Sequence, residues 1–241
     1  MLGGGGGFFF LPVLTLGFNV AAQTAVMTTL AATLPICIVG SWRHFKEGHI
    51  NIKIGVILAF AGIAGAFLGA YITRIITPEQ LKTSFGIYTI LIALNILITS
   101  WRETKTNKLN EESPGKKSQI LRKVKSEFFA FTAGIITGTY GTSGTAPILA
   151  SLFNLRIPVK MVIGTSLLVV LVNTLFAISA HLFVSSIDMT LVAFLTSGSA
   201  LGAVIGAKML AKSKIEKSGN LVQCIYASVM MATGLLMITR S

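Results

Sequence analysis

The chain has 241 residues, 53% of them hydrophobic and only 12% charged, with 20 Lys and Arg against 8 Asp and Glu. A soluble domain usually carries about 25% charged residues, so a water-soluble globule is excluded for want of polar surface. The net charge of +12 is spread over the loops between apolar runs, which argues against nucleic acid as a partner and for anchoring beside anionic lipid headgroups.

Apolar runs near the ~20 residues needed to cross a bilayer fall at 3–18, 22–42, 52–76, 81–101, 127–155, 158–184, 189–211 and 220–238. They predict an all-α membrane protein of about eight transmembrane segments in two repeats of four. The first repeat takes residues 1–101 and the second 127–241. Between them, residues 102–126 are polar and broken by Pro114, and they read as a cytoplasmic loop. The excess of Lys and Arg on the linker's side places that side and both termini in the cytoplasm.

The first run opens "GGGGGFFFLPVL" and the fifth contains "GTYGTSGTAPIL". Five consecutive glycines face all sides of a helix and cannot form one packing stripe. A proline follows each patch, and proline is tolerated in a helix's first turn but breaks its interior. The pattern predicts a helix that stops, crosses irregular backbone and restarts near Pro12, and again near Pro147. Irregular backbone at membrane depth needs protein or a watery cavity around it. The restarting helix offers unpaired N–H groups and the positive end of its dipole to an anion. Gly4, Gly5, Gly6, Gly7 and Pro12, with Gly141, Thr142, Ser143, Gly144 and Pro147, are therefore candidate substrate-binding residues. Only Met1 and Leu2 precede the first patch, whereas "EFFAFTAGII" leads into the second. A hydrophobic stretch of roughly ten residues is thus expected in the upstream reading frame.

The neighbouring runs add uncharged donors. "MTTL" supplies Thr28 and Thr29, "GTSL" supplies Thr165 and Ser166, and Asn173 lies two turns beyond Ser166 on the same face. Gly65 and Gly69, and likewise Gly198, Gly202 and Gly206, recur every fourth residue, a spacing that predicts close helix packing. Cys37 and Cys224 lie inside apolar runs and read as small hydrophobes, with no disulfide, metal or cofactor implied. No Asp or Glu lies deep in a span; Glu127 and Asp188 are at ends. Cation carriers usually keep an ionisable group inside the membrane, so amides, hydroxyls and helix N-termini suit an anion instead.

Adding 137 to a position in the first half finds a like residue in the second: Thr28 and Thr165, Thr29 and Ser166, His44 and His181, Gly65 and Gly202, Gly69 and Gly206. Internal repeats are common in transporters, whose substrate sits where the repeats meet. His44 and His181 are the repeated titratable pair and are candidates for proton coupling or gating; His49 has no counterpart and receives no role.

Glycine patch, proline, "MTTL" or "GTSL", a histidine before an "xIN" or "xID" turn, then a Gly-xxx-Gly helix, all duplicated, resemble the sulfite exporter TauE/SafE family over the whole chain except the linker. The resemblance implies a multi-pass permease of the prokaryotic inner membrane for sulfite, sulfonates and related sulfur-containing anions. It carries over onto Gly4 to Gly7, Pro12, Thr28, Thr29, Gly141 to Gly144, Pro147, Thr165 and Ser166. "TYGTSG" departs from the glycine-only pattern, so the halves need not contribute equally. The resulting expectation is a non-enzymatic secondary carrier for a small sulfur-containing oxyanion, with the bilayer around it, protons as the candidate coupling ion and a homodimer as the candidate assembly. One alternative is enzymatic. "GTSG" at Gly141–Gly144 also resembles the Gly-x-Ser-Gly of rhomboid intramembrane proteases, with Ser143 as nucleophile and His181 as base. The residue aligned with Ser143 is Gly6, so the duplicated feature is the backbone rather than the hydroxyl.

Overall fold

A computed structural model describes residues 7–103, 116–155, 157–182, 188–199 and 219–240. Every regular element among them is helical. They are α1 (Gly7–Pro12) continued by a π turn (Val13–Gly17), α2 (Ala22–Lys46), α3 (Ile52–Ile75), α4 (Pro78–Glu103), α5 (Lys116–Tyr140), α6 (Thr145–Asn154), α7 (Val159–His181), α8 (Met189–Ser199) and α9 (Gly219–Thr239). Among the described residues four helices are long and apolar enough to cross a membrane: α2, α3, α4 and α7. Large apolar side chains on their outer faces, such as Val39 and Phe60, are more than two-thirds exposed, as a lipid-facing surface requires.

Two compact units form, each drawing on both halves of the sequence. One comprises 1–76 and 114–196, the other 77–113 and 197–241. In the second, α4 and α9 meet at Gly86 and Gly234, where a methyl on either glycine would lie within 3 Å of the other's carbonyl oxygen.

In the first unit α3, α5 and α7 run parallel to one another and antiparallel to α2. The α3–α5 contact is an interlock of small residues. An added Cβ at Gly65 or Gly69 would overlap the carbonyls of Phe131 or Ile135, and one at Gly134 or Gly138 would overlap those of Gly62 or Ala66. The four-residue spacing in α3 is thus a packing seam, as its sequence predicts. Gly65→Leu is expected to cost about 3 kcal/mol by overpacking and to remove the folded peak in detergent size-exclusion chromatography. Gly198, predicted to pack likewise, has nothing among the described residues within 4 Å of an added Cβ, so Gly198→Leu is expected to leave that peak in place. Gly202 and Gly206 lie outside the described residues. Cys37 packs with Leu58, Ala133, Ile148 and Val169 in the core, as a small hydrophobe should.

The structure corrects three expectations. Residues 116–126 are helical and form the start of α5, so the loop reading of the linker fails there. Its apolar Ile120, Leu121 and Val124 and its Lys, Arg and Gln residues are compatible with a helix, and Pro114 stands just before the described start. Residues 127–155 do not make one crossing. After the break at 141–144, α6 folds back along α5, so that Ser151 meets Ser126 and Asn154 meets Arg122. In consequence Lys160 stands at the same end as Arg43, Lys46 and Lys53, because α7 starts against the α2–α3 turn. Arg122, Lys123 and Lys125 join them, while Arg74 is at the far end of α3. Finally, α1 is already helical at Gly7, so Pro12 is not in a restarting first turn but at the step into the π turn. A proline there removes one helical donor and crowds the preceding carbonyl, and the wider turn accommodates the loss.

Candidate functional site

The second glycine patch does interrupt a helix. Between α5 and α6, Gly141 (φ +67°) and Gly144 (φ +51°) adopt left-handed backbone, which side chains other than hydrogen make costly. Space imposes the same choice. A Cβ at Gly141 would lie 2.5 Å from the Val26 carbonyl of α2, and one at Gly144 would overlap the Ala133 carbonyl.

The hairpin is pinned at its base. Ser126 and Ser151 each donate a hydroxyl to the other's carbonyl at 3.0 Å, and Asn154 Nδ2 donates to Arg122 O at 3.0 Å and Ser126 Oγ at 3.1 Å. Each hydroxyl contributes about 1 kcal/mol, so Ser126→Ala or Ser151→Ala is expected to lower the melting temperature by roughly 2–4 °C in a detergent thermal-shift assay.

Stopping α5 at Tyr140 leaves its last carbonyls without helical donors. His181 Nε2–H, at the end of α7, donates to Gly138 O at 2.6 Å. The Thr73 hydroxyl lies 3.0 Å from Thr139 O and 3.4 Å from Gly138 O. At the other side of the break, Gly144 is the N-cap of α6 and supplies no side-chain cap. Pro147 falls in the first turn of α6, where its missing N–H costs nothing. The leading N–H groups, of Thr145 and Ala146, point out of the helix end by helical geometry. Beside them Ser143 Oγ and Thr145 Oγ1 are hydrogen-bonded at 2.6 Å.

Several buried polar atoms of the described residues are not satisfied by the protein itself. Thr29 Oγ1, Thr142 Oγ1, Thr174 Oγ1 and both amide atoms of Asn173 have no hydrogen-bond partner, and all four residues are 0% exposed. Burying such a group unpaired costs about 1–3 kcal/mol, and native proteins leave few of them without a ligand or water. The Asn173 amide lies directly over Gly62, where any Cβ would collide with it. Gly62 in turn touches Gly134, the neighbour of Ala133 on which Gly144 packs. Asn173 and the N-terminus of α6 are therefore at the same depth, in an uncharged, water-excluded setting that suits a small oxyanion.

The profile described as "Sulfite exporter TauE/SafE" matches residues 1–237. The chain belongs to the sulfite exporter TauE/SafE family. It is 28% identical over 209 residues to "Probable membrane transporter protein YdhB" of Bacillus subtilis, covering 86% of this chain and 82% of that relative. "Probable membrane transporter protein YunE" of the same organism is 22% identical over 240 residues, covering 88% and 85%. "Probable membrane transporter protein MJ0441" of Methanocaldococcus jannaschii is 24% identical over 188 residues, covering 76% and 66%. No solved structure matches. Family and apolar helices together make this a multi-pass membrane transport protein.

Within this TauE/SafE chain the residues singled out from sequence separate. Thr142, Ser143, Gly144, Pro147 and Gly141 form the break and the α6 tip, and Asn173 stands level with them. Gly4, Gly5 and Gly6 lie outside the described residues, while Gly7 opens α1. The hydroxyl pairs do not converge. Because α2 and α7 are antiparallel, with Gly40 against Leu167, Thr28–Thr29 and Thr165–Ser166 stand near opposite ends. Thr28 Oγ1 donates back to Thr24 O and Ser166 Oγ to Ile163 O, both at 2.8 Å. Thr165 Oγ1 accepts the Asn51 N–H at 2.9 Å. Only Thr29 of the four keeps an unpartnered hydroxyl.

The histidines differ too. His181 is fully buried and caps the break, whereas His44 is half-buried at the end of α2 beside Glu47. Ser143 and His181 share no hydrogen bond. The serine is joined to Thr145, the imidazole Nε2 to Gly138, and Nδ1 has no partner, so the protease dyad is not assembled. Gly62, Thr73, Thr174 and the Ser126–Ser151 pair are additions that sequence reasoning missed. Gly62 lies three residues before Gly65, a separation that also keeps two residues on one helix face, and was legible; serines 25 residues apart carry no local signal.

Proposed function

We propose that this protein is a secondary carrier that moves a small sulfur-containing oxyanion, sulfite or an organosulfonate, through a site at the N-terminus of α6. The observation that carries the reading is the Asn173 amide, whose donor and acceptor are both buried without a partner, level with an uncapped helix start. An anion there would accept from the Asn173 amide, the Thr142 hydroxyl and the leading N–H groups of α6. The family's description as sulfite exporters supports the substrate class.

An internal repeat of inverted topology supports the carrier mechanism. The starts of α2 and α7, Ala22 and Val159, are 137 positions apart, as are those of α3 and α8, Ile52 and Met189. The residues before α2 and α7 share a backbone conformation, φ −54°, ψ 135° at Ala21 and φ −52°, ψ 137° at Pro158, although the two helices run in opposite directions. Such repeats rock about a central site in alternating access, and the buried state of the α6 tip fits an occluded stage of that cycle. The basic end of the first unit faces the cytoplasm of a prokaryotic cell under the positive-inside rule. His181, joined to the carbonyl end of α5, is the candidate for proton coupling.

Proteoliposomes loaded with labelled sulfite, an organosulfonate or sulfate, with and without a pH gradient, test the proposal. Sulfite or sulfonate efflux above protein-free vesicles is expected, and it should exceed that of sulfate. Folded protein that moves none of the three anions would refute it.

A further inference from the structure

We propose that the α2–α3 turn is a binding site for a late first-row divalent metal ion of the zinc, nickel or copper class, held by His44, Glu47 and His49. The sequence "HFKEGH" ends α2 in a glycine-terminated reversal. Gly48 has φ +69°, Gly48 N–H donates to Phe45 O at 3.1 Å, and His49 N–H donates to His44 O at 2.9 Å. This is the Schellman arrangement, which brings the side chain just past the helix end onto the one in its last turn. That pair is usually apolar; here both partners are imidazoles, with Glu47 between them.

The ligand atoms are already gathered. One from each residue lies within 4.8 Å of the others. Glu47 Oε2 is 3.2 Å from His49 Nδ1 and 3.9 Å from His44 Nδ1. A tetrahedral ion bound at about 2.0–2.1 Å sets neighbouring ligands about 3.3–3.4 Å apart, so the widest pair has to close by no more than about 1.4 Å, a change that side-chain rotation shared between two residues supplies. The other carboxylate oxygen, Oε1, is held by Arg43 Nε at 3.0 Å, which orients Oε2 toward the imidazoles as an outer-shell partner does. Lys46, the nearby cation, is turned over the Trp42 ring, 5.0 Å from its centroid.

The turn is also braced. Asn51 N–H is bound to Thr165 of α7, and a Cβ at Gly164 would strike the His49 carbonyl. Two imidazoles and one carboxylate select zinc, nickel or copper over magnesium or calcium. The second repeat has Val184 and Ser186 where the first has Glu47 and His49, so there is one such site per chain, remote from the α6 tip.

The test uses untagged, detergent-purified full chain. Zn2+ is titrated against a chromogenic chelator, and Co2+ is added separately to record its visible ligand-field bands. One equivalent of Zn2+ and a tetrahedral or five-coordinate Co2+ spectrum are expected. His44→Gln, His49→Gln and the exposed, near-isosteric Glu47→Gln should each weaken Zn2+ binding about tenfold or more and bleach the Co2+ bands. Wild-type protein that takes up no stoichiometric ion, or a folded Glu47→Gln variant that binds as tightly as wild type, would overturn the proposal.

Discussion

Asn173→Leu is expected to leave the yield and melting temperature of folded protein unchanged or raised while lowering anion flux by about ten- to a hundredfold. Both effects follow from the same two atoms. The amide oxygen and nitrogen are buried without partners, so they weaken the fold by about 1–3 kcal/mol. An apolar side chain of similar volume removes that burden. A hydrogen bond to a charged ligand contributes about 1.5–3 kcal/mol, and its loss is the predicted drop in transport. Thermal shift and proteoliposome flux on one preparation check the pair. A structural asparagine would give the opposite pattern, with stability lost first. Gly62→Ala probes the same contact from the other side, because its methyl would displace the amide.

Gly144→Val is expected to abolish transport by destroying the hairpin. The residue has φ +51°, a conformation that costs a β-branched side chain on the order of 1–3 kcal/mol. Its Cβ would also overlap the Ala133 carbonyl and come 2.7 Å from Thr137 Oγ1. No neighbouring rotamer relieves a collision with backbone. Loss of the monodisperse chromatographic peak together with flux is the expected result. Gly17→Ala, at a glycine with no atom of the described residues within 4 Å of an added Cβ, is the control and should retain both.

Much of this was legible from residues alone. The starts of α2 and α3 were anticipated to the residue, and the small-residue seam of α3 was read from its spacing. The interruption before Pro147 followed from glycine, which allows φ > 0, and from proline, which fits a first turn. The direction taken after the interruption was not legible. A helix restarting straight ahead and one folding back have the same local sequence; the Ser126–Ser151 exchange decides between them, across 25 residues. Pro12 shows the limit of reasoning by repeat. Its patch resembles the second one, yet α1 is helical before the proline and widens after it. The paired hydroxyls were recognised, but the antiparallel course of α2 and α7 sends them to opposite ends. Membrane Thr and Ser also bond back to their own helix, as Thr28 and Ser166 do.

The most direct measurement is anomalous diffraction from crystals of the protein grown with selenite, a heavier analogue of sulfite. A selenium peak is expected within hydrogen-bonding range of the Asn173 amide and the leading N–H groups of α6, lost in crystals of Asn173→Leu. Transport-competent protein whose selenium lies elsewhere, with the α6 tip closed by protein groups alone, would contradict it.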